Sequence, residues 1–282
     1  MEPVSPGEWI GLIAGKGRFP IIFAENAKKL GYTVSAVAHV GETDPALEQV
    51  VDRIHWIRIG QLNKLIRALK DDGVRQAVMV GGIKKTHLFS DVRPDLRAIA
   101  LFSRLKVWKD DGILRAIAKE IESEGITIRE STFGLRDILV PVGELSKRRP
   151  TKKELEDIHF GWAIAKEICQ IDIGQCVVVK DKVIVAVEAV EGTDEAIRRG
   201  GALARKGAVV VKCSKPQQDL RFDLPAVGPG TIEVMREVKA SVLALEADKT
   251  IFLDREDMLE QANRAGIAII GMAETLSVNR DA

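Results

Sequence analysis

Carboxylates and a guanidinium alternate with apolar residues in Asp219-Leu220-Arg221-Phe222-Asp223. If this stretch is extended, a period of two puts Asp219, Arg221 and Asp223 on one face and Leu220 and Phe222 on the other. Two carboxylates with an intervening guanidinium can hold a hard cation and steer an anionic phosphate. An edge strand with a charged outer face has the same spacing. Further polar residues stand in Asp172-Ile173-Gly174-Gln175, in Glu188-Ala189-Val190-Glu191-Gly192-Thr193-Asp194, and in Lys215-Pro216-Gln217-Gln218 ahead of the alternating stretch. Glu188 and Glu191 leave the end of a very apolar run, where a rigid scaffold would position them. Thr193 or Asp194 can cap the helix that follows or take part in a site.

A second kind of chemistry is suggested near the start. Gly11 to Pro20, GLIAGKGRFP, lies after a first apolar run and before a helical pattern. Gly15 and Gly17 would let backbone approach a phosphate, and a helix N-terminus adds free N–H groups. The third glycine of a dinucleotide fingerprint is replaced by Pro20, and a phosphate-binding loop of the G-x-x-x-x-G-K-[ST] type would need glycine where Ile10 stands and Ser or Thr where Gly17 stands. A tight strand–helix turn without ligand fits as well. Val80-Gly81-Gly82-Ile83-Lys84-Lys85 is the other candidate, with Gly82 at a strand end and Lys84 or Lys85 supplying positive charge.

These residues need elements to hold them. In the first half, runs at 9–14, 33–40, 54–59 and 76–80 read as strands. Segments 20–30, 61–72 and 110–124 read as helices that stop at Gly31, Gly73 and Gly125. Strand–helix alternation implies parallel βαβ units and an open, doubly wound, Rossmann-like sheet. Prolines, a glycine and a knot of charge over 141–153 predict a break, giving an N-terminal domain 1–145, a linker 146–152 and a C-terminal α/β domain 153–282. Lys147, Arg148, Arg149, Lys152 and Lys153 there could touch phosphates or an anionic membrane, or lie solvated. In the second half, 152–168 reads as a helix and 176–179 with 183–187 as a hairpin. Helices at 193–204, 231–239 and 254–264 and strands at 208–212, 241–245 and 267–270 follow. The second domain is therefore expected to be mixed α/β.

Composition narrows the function. The 282 residues carry 42 Lys plus Arg against 41 Asp plus Glu, a formal charge of +1, which argues against a nucleic-acid binder. Aromatic residues make up 5%, too few for a base-stacking platform, and 46% hydrophobic residues exclude dominant disorder. Cys169, Cys176 and Cys213 form neither a disulfide framework nor a zinc motif and read as buried small hydrophobes in a reduced compartment. With no secretory leader pattern and no apolar run near the roughly 20 residues that span a bilayer, a cytoplasmic location is expected.

Taken together, DIGQ at 172–175, EAVEGTD at 188–194, KPQQDLRFDLPAVG at 215–228 and the opening GLIAGKGRFP resemble the UDP-2,3-diacylglucosamine pyrophosphatase family of lipid A biosynthesis, in its α/β rather than its calcineurin-like form. The resemblance covers nearly the whole chain. It implies a Mg²⁺-dependent hydrolase that cleaves UDP-2,3-diacylglucosamine to UMP and 2,3-diacylglucosamine 1-phosphate (lipid X), water attacking the phosphorus nearer the sugar. It also implies two α/β domains with the ligand between them, and it makes Asp223, the aspartate of the R-x-D-L-P segment, the residue essential for catalysis.

Chemically, diphosphate hydrolysis needs neutralised oxygens and an aligned water, tasks that Mg²⁺ performs with few carboxylate ligands. Asp223 is then the metal ligand or water-orienting base, with Asp219, Glu188 and Glu191 as further candidate ligands. Lys215 and Arg221 would stabilise developing phosphate charge. The substrate side is expected to draw on Gly15, Gly17, Gly82, Lys84, Asp172, Gln175, Thr193, Asp194 and Gln218. Two acyl chains require an apolar groove, expected where the domains meet. Peripheral contact with the inner-membrane surface and a homodimer are compatible with this reading. A non-catalytic nucleotide or lipid binder, or a UDP-sugar transferase, are the alternatives.

Overall fold

The structure is a computed structural model and describes residues 7–82, 94–103, 110–135, 138–216, 219, 221–222 and 224–273. The chain divides into two compact units. Unit 1 comprises Met1–Arg136 and Asp219–Asp223, and unit 2 comprises Asp137–Gln218 and Leu224–Ala282.

Unit 1 is built on a five-stranded sheet of order β3-β2-β1-β4-β5: β1 Trp9–Ala14, β2 Thr33–His39, β3 Arg53–Ile57, β4 Gln76–Val80 and β5 Thr127–Arg129. Every pairing is parallel, Ile10 facing both Val34 and Gln76. β1, β2 and β4 are almost wholly buried, as expected of parallel strands covered on both faces. Helix α1 (Phe19–Lys29) buries Phe19, Phe23, Ala24 and Ala27 and ends where Gly31 turns left-handed. Helices α2 (Leu62–Asp71), α3 (Leu96–Phe102) and α4 (Asp110–Glu122) complete the layer order. Leu62, Leu65, Ile66 and Leu69 of α2 and Ala118 and Ile121 of α4 share one core with Ile13, Val37, Ile57 and Met79 of the sheet.

Unit 2 holds a six-stranded mixed sheet of order β6-β13-β11-β9-β7-β8. Its strands are β6 Gly143–Glu144, β7 Cys176–Lys180, β8 Val183–Val187, β9 Val209–Lys212, β11 Val242–Glu246 and β13 Ala268–Met272. A small parallel pair, β10 Ala226–Val227 and β12 Ile251–Phe252, stands apart from it. Residue alternation sends Val177, Val179, Val209 and Val211 to one face, against Ile158, Trp162, Ala165 and Ile168 of α5 (Lys152–Gln170). Val178, Val210, Leu243 and Ile269 go to the other, against Ile197 of α6 (Thr193–Ala204), Ile232 and Met235 of α7 (Pro229–Glu237), and Met258 and Ala262 of α8 (Arg255–Ala265). The expected hairpin forms with Asp181 and Lys182 at φ 52 and 59, the left-handed pair that a two-residue turn of matching twist demands.

Residues 146–152, expected as a linker, fall within unit 2 and bond to it. Ser146 Oγ accepts from the Ile269 amide at 2.8 Å, and Arg148 Nη2 donates to both oxygens of Glu154 at 2.6 and 2.8 Å. Thr151 and Glu154 close a reciprocal capping box at the start of α5. Arg149 pairs with Glu144 and Lys153 with Asp181, so three of the five basic residues expected on this segment are ion-paired within unit 2. Residues 219–223, expected in the C-terminal domain, belong to unit 1, where the Phe222 ring joins the core beneath the parallel sheet.

All three cysteines are fully buried. Burial pushes the Cys169 thiol up to about 12 and raises Cys176 and Cys213 well above the ordinary thiol value. A thiol-specific reagent is therefore expected to label none of the three in the native protein and all of them after denaturation.

Asp72, almost fully buried, gathers Ser35 Oγ at 2.6 Å, Arg53 Nη1 at 2.6 Å and His55 Nε2 at 2.8 Å. Burial alone would raise its pKa, but these donors overturn that effect and hold it below the usual aspartate value. A lowered acid contributes fully above its unfolded pKa of about 4 and loses that contribution as pH falls through the folded value. Asp72→Asn should cost about 1–3 kcal/mol at pH 7 and flatten the acid limb of the stability–pH curve, measured by urea unfolding between pH 2 and 7.

Candidate functional site

In unit 1 the strand order reverses between β1 and β4, and ligands in open α/β sheets settle outside the carboxyl ends at such a point. There the two glycine-bearing loops bond to each other. Gly15 N–H donates to Val80 O at 2.8 Å, Lys16 N–H to Gly82 O at 2.6 Å, and Gly82 N–H to Lys16 O at 3.3 Å. The Gly15 and Gly82 loops are thus brought together, Gly17 follows on the first of them with its Cα facing open space, and Lys84 lies outside the described residues. Gly15 is needed for this close approach whatever binds nearby, since a Cβ there would meet Gly82 O at 2.5 Å and Gly81 C at 2.7 Å. Gly82, by contrast, opens onto space. At the end of β2, His39 Nδ1 and Thr43 Oγ1 both donate to Ala14 O, at 2.9 and 2.7 Å. The carbonyl can only accept, which places the imidazole proton on Nδ1. Burial lowers the His39 pKa and keeps the ring neutral.

In unit 2 the carboxyl ends of β8, β9, β11 and β13 share one edge, because β8 and β9 both run antiparallel to β7 and β11 runs parallel to β9 and β13. Most of the expected polar motifs converge there. Thr193 Oγ1 donates to Glu188 Oε1 at 3.0 Å, and the Gln175 amide donates to Glu188 Oε2 at 3.3 Å. The glycine of Asp172-Ile173-Gly174-Gln175 is dictated by this contact, since a Cβ on Gly174 would run into the Glu188 carbonyl. Lys215 pairs with Asp172 at 2.6 Å. Glu191 pairs with Arg199 at 2.6 Å, and backbone amides together with that guanidinium hold its carboxyl below the usual range. Thr193 and Asp194 do not cap α6. Gly192 is the N-cap and supplies no side chain, Thr193 is the first helical residue with its hydroxyl on Glu188, and Asp194 is exposed.

Asp219, Arg221 and Phe222 form a turn rather than part of an extended strand. The Asp219 carboxylate accepts from the Arg221 amide at 3.1 Å, and Phe222 N–H donates to Asp219 O at 3.1 Å. An aspartate that bonds its own backbone two residues on competes with strand pairing. The Arg221 guanidinium grips the same carboxylate, at 3.0 Å through Nε and 2.9 Å through Nη2, and reaches Glu122 at 3.2 Å. That grip holds the Asp219 pKa low and the Arg221 pKa high. Asp223 and Gln218 lie outside the described residues.

Two features escaped the sequence reading. Lys212, at the end of β9, is 8% exposed and donates to Thr193 Oγ1 at 3.1 Å and to Ala226 O at 3.0 Å. Glu246, at the end of β11, is fully buried between Lys166 at 2.6 Å and Lys249 at 3.3 Å and accepts from the Ser214 amide at 2.8 Å. Both strands read as uniformly apolar up to their last residue, but so does β7, whose terminal Lys180 is only half-buried, so the pattern does not by itself mark the two. Among the described residues no group of three or more His, Cys, Asp or Glu side chains is placed to hold a metal ion.

Gly15→Ala is expected to lower stability by about 1–3 kcal/mol, the cost of forcing two backbones apart, whereas Gly82→Ala should stay within about 0.5 kcal/mol of wild type. Thermal denaturation of the two variants checks the contrast.

Comparison with known proteins agrees with the division of the chain. The LpxI N-terminal domain matches residues 9–138 and the LpxI C-terminal domain residues 141–270. UDP-2,3-diacylglucosamine pyrophosphatase LpxI of Caulobacter vibrioides (strain ATCC 19089 / CIP 103742 / CB 15) is 30% identical over 274 residues, covering 93% of this chain and 97% of that protein. Among solved structures, the ADP complex of purK, N5-carboxyaminoimidazole ribonucleotide synthetase, shows 15% identity and a TM-score of 0.30 over 72% of this chain and 47% of its own, a likeness too slight to build on. Two domain matches in sequence order, joined to a relative aligned almost end to end, establish that the chain belongs to the LpxI family.

Proposed function

We propose that this protein hydrolyses the diphosphate of UDP-2,3-diacylglucosamine in lipid A biosynthesis, releasing UMP and 2,3-diacylglucosamine 1-phosphate, with Mg²⁺ as cofactor. The observation that carries this reading is the alignment over 93% of the chain with a pyrophosphatase of that name. Its chemistry is compatible with the polar edge of unit 2, where cationic and carboxylate side chains stand at strand ends. Lys215 and Arg221 are the cations proposed to stabilise phosphate charge. In the resting protein each is balanced by a carboxylate, Asp172 and Asp219 respectively.

Mg²⁺ needs only one or two carboxylates beside the phosphate oxygens of its substrate. When bound it would supply charge neutralisation on the diphosphate. Of the described candidates, Glu188 suits it best, because both its oxygens accept from uncharged donors, whereas Asp219 and Glu191 are engaged by guanidinium groups. Asp223 is proposed to share in holding the cation or to orient the attacking water.

Turnover in ¹⁸O-labelled water should place the heavy oxygen on the sugar 1-phosphate. Label on UMP would reverse the regiochemistry, and transfer of the sugar to another acceptor would make the protein a transferase. Asp223→Ala should lower kcat by roughly 10²–10⁴-fold with an unchanged circular-dichroism spectrum, and chelation followed by Mg²⁺ should remove and restore activity. Wild-type turnover by Asp223→Ala would overturn the catalytic assignment.

A further inference from the structure

The last residue of β9 is at odds with its surroundings. Val209, Val210 and Val211 are fully buried between helices, and Lys212 continues the strand into the same interior. Its ammonium pairs with no carboxylate among the described residues. It donates to two uncharged oxygens, the Thr193 hydroxyl and the Ala226 carbonyl. Taking an ammonium out of water without a counter-charge carries a large desolvation penalty, and an apolar side chain would extend the strand without it. The two acceptors show what the lysine does instead. Thr193 has one hydroxyl proton, and because Lys212 donates to its oxygen, that proton is committed to Glu188 Oε1. Ala226 lies three residues beyond Asp223 and opens β10. One ammonium thus ties the strand that follows the Arg221–Pro225 segment to the loop carrying Glu188.

We propose that Lys212 is a positioning residue for the hydrolytic reaction, acting through the Thr193 hydroxyl to fix the orientation of the Glu188 carboxylate and through the Ala226 carbonyl to anchor the segment downstream of Asp223. This rests on the hydrolase reading above. The ammonium polarises the hydroxyl it donates to, which strengthens the bond that the hydroxyl makes in turn. Such an outer partner sharpens the direction of a ligand or base without touching substrate.

The test separates this role from a merely structural one. Lys212→Met keeps an unbranched side chain one atom shorter and removes the ammonium. It should lower kcat about 10–100-fold, change KM little and leave the melting temperature unchanged or higher. Thr193→Val should reduce kcat in the same direction, Thr193→Ser should restore it by returning the hydroxyl, and the Lys212→Met, Thr193→Val double variant should be no worse than Lys212→Met alone. In the protein without substrate, hydrogen exchange at the Gln175 amide, which donates to Glu188, should quicken in Lys212→Met. Wild-type kcat in Lys212→Met, an unaltered Gln175 exchange rate, or a loss of kcat that merely follows a lowered melting temperature would each overturn the proposal. A wild-type protein that releases no UMP from UDP-2,3-diacylglucosamine would instead overturn the hydrolase reading, while the exchange measurement would still judge the tether.

Discussion

A strand can be followed by a parallel neighbour only after the chain has crossed back over the sheet, so the carboxyl ends of parallel strands emerge along one edge. This constraint decides where chemistry is available in both units. In unit 1 it brings the loops after β1 and β4 side by side, near enough to share backbone hydrogen bonds. In unit 2 it lines up Glu188, Lys212, Ser214 and Glu246 at the ends of β8, β9 and β11. β7 is the exception that makes the second arrangement work. Because it runs antiparallel to both β8 and β9, its first residues, rather than its last, meet the same edge, and Gln175 can donate to Glu188 there.

Charge at that edge is arranged by degree of burial. Glu246 is fully enclosed and has two lysines and a backbone amide, as a carboxylate removed from water requires. Glu191, near the surface, has one arginine and backbone amides. Glu188 lies between these extremes and, among the described residues, is held by a hydroxyl and a backbone amide. Its partners there are uncharged, while Glu246 and Glu191 each have a cationic one.

Much of this was legible in the residues. The spacing of apolar positions placed the helix over 193–204, and the alternation of short apolar runs with helices announced a parallel sheet in the first half. Of Gly15, Gly17 and Gly82, singled out for a ligand's sake, the loops of Gly15 and Gly82 do meet, but Gly15 answers to a steric demand of the loops themselves. What could not be read follows from length and context. β6, β10 and β12 span two residues each, too short to show any period. Asp219 to Asp223 has a strand's alternation, yet a carboxylate that bonds its own backbone makes it a turn. The role of Lys212 depends on the threonine and carbonyl that folding brings to it from 19 and 14 residues away, and no local pattern encodes that meeting.

The turn at Asp219, Arg221 and Phe222 lies inside the motif that carries the family resemblance. Residues 215–218 and 224–228 belong to unit 2, but 219–223 belong to unit 1. Phe222 is buried with Ile13, Met79 and Ile121, Asp219 is held by Arg221, and Arg221 reaches Glu122 of α4. Ionic contacts thus act on Asp219 and Arg221 and apolar ones on Phe222, so charged and apolar side chains part here without a strand. Leu224 and Pro225 then return the chain to unit 2, where Pro225 O accepts from the Ile251 amide at 2.7 Å and Lys212 takes the carbonyl of Ala226. The grip on Asp219 and the burial of Phe222 are constraints within unit 1, and the bonds to Pro225 and Ala226 are constraints within unit 2, so one short stretch of sequence meets two separate sets of demands.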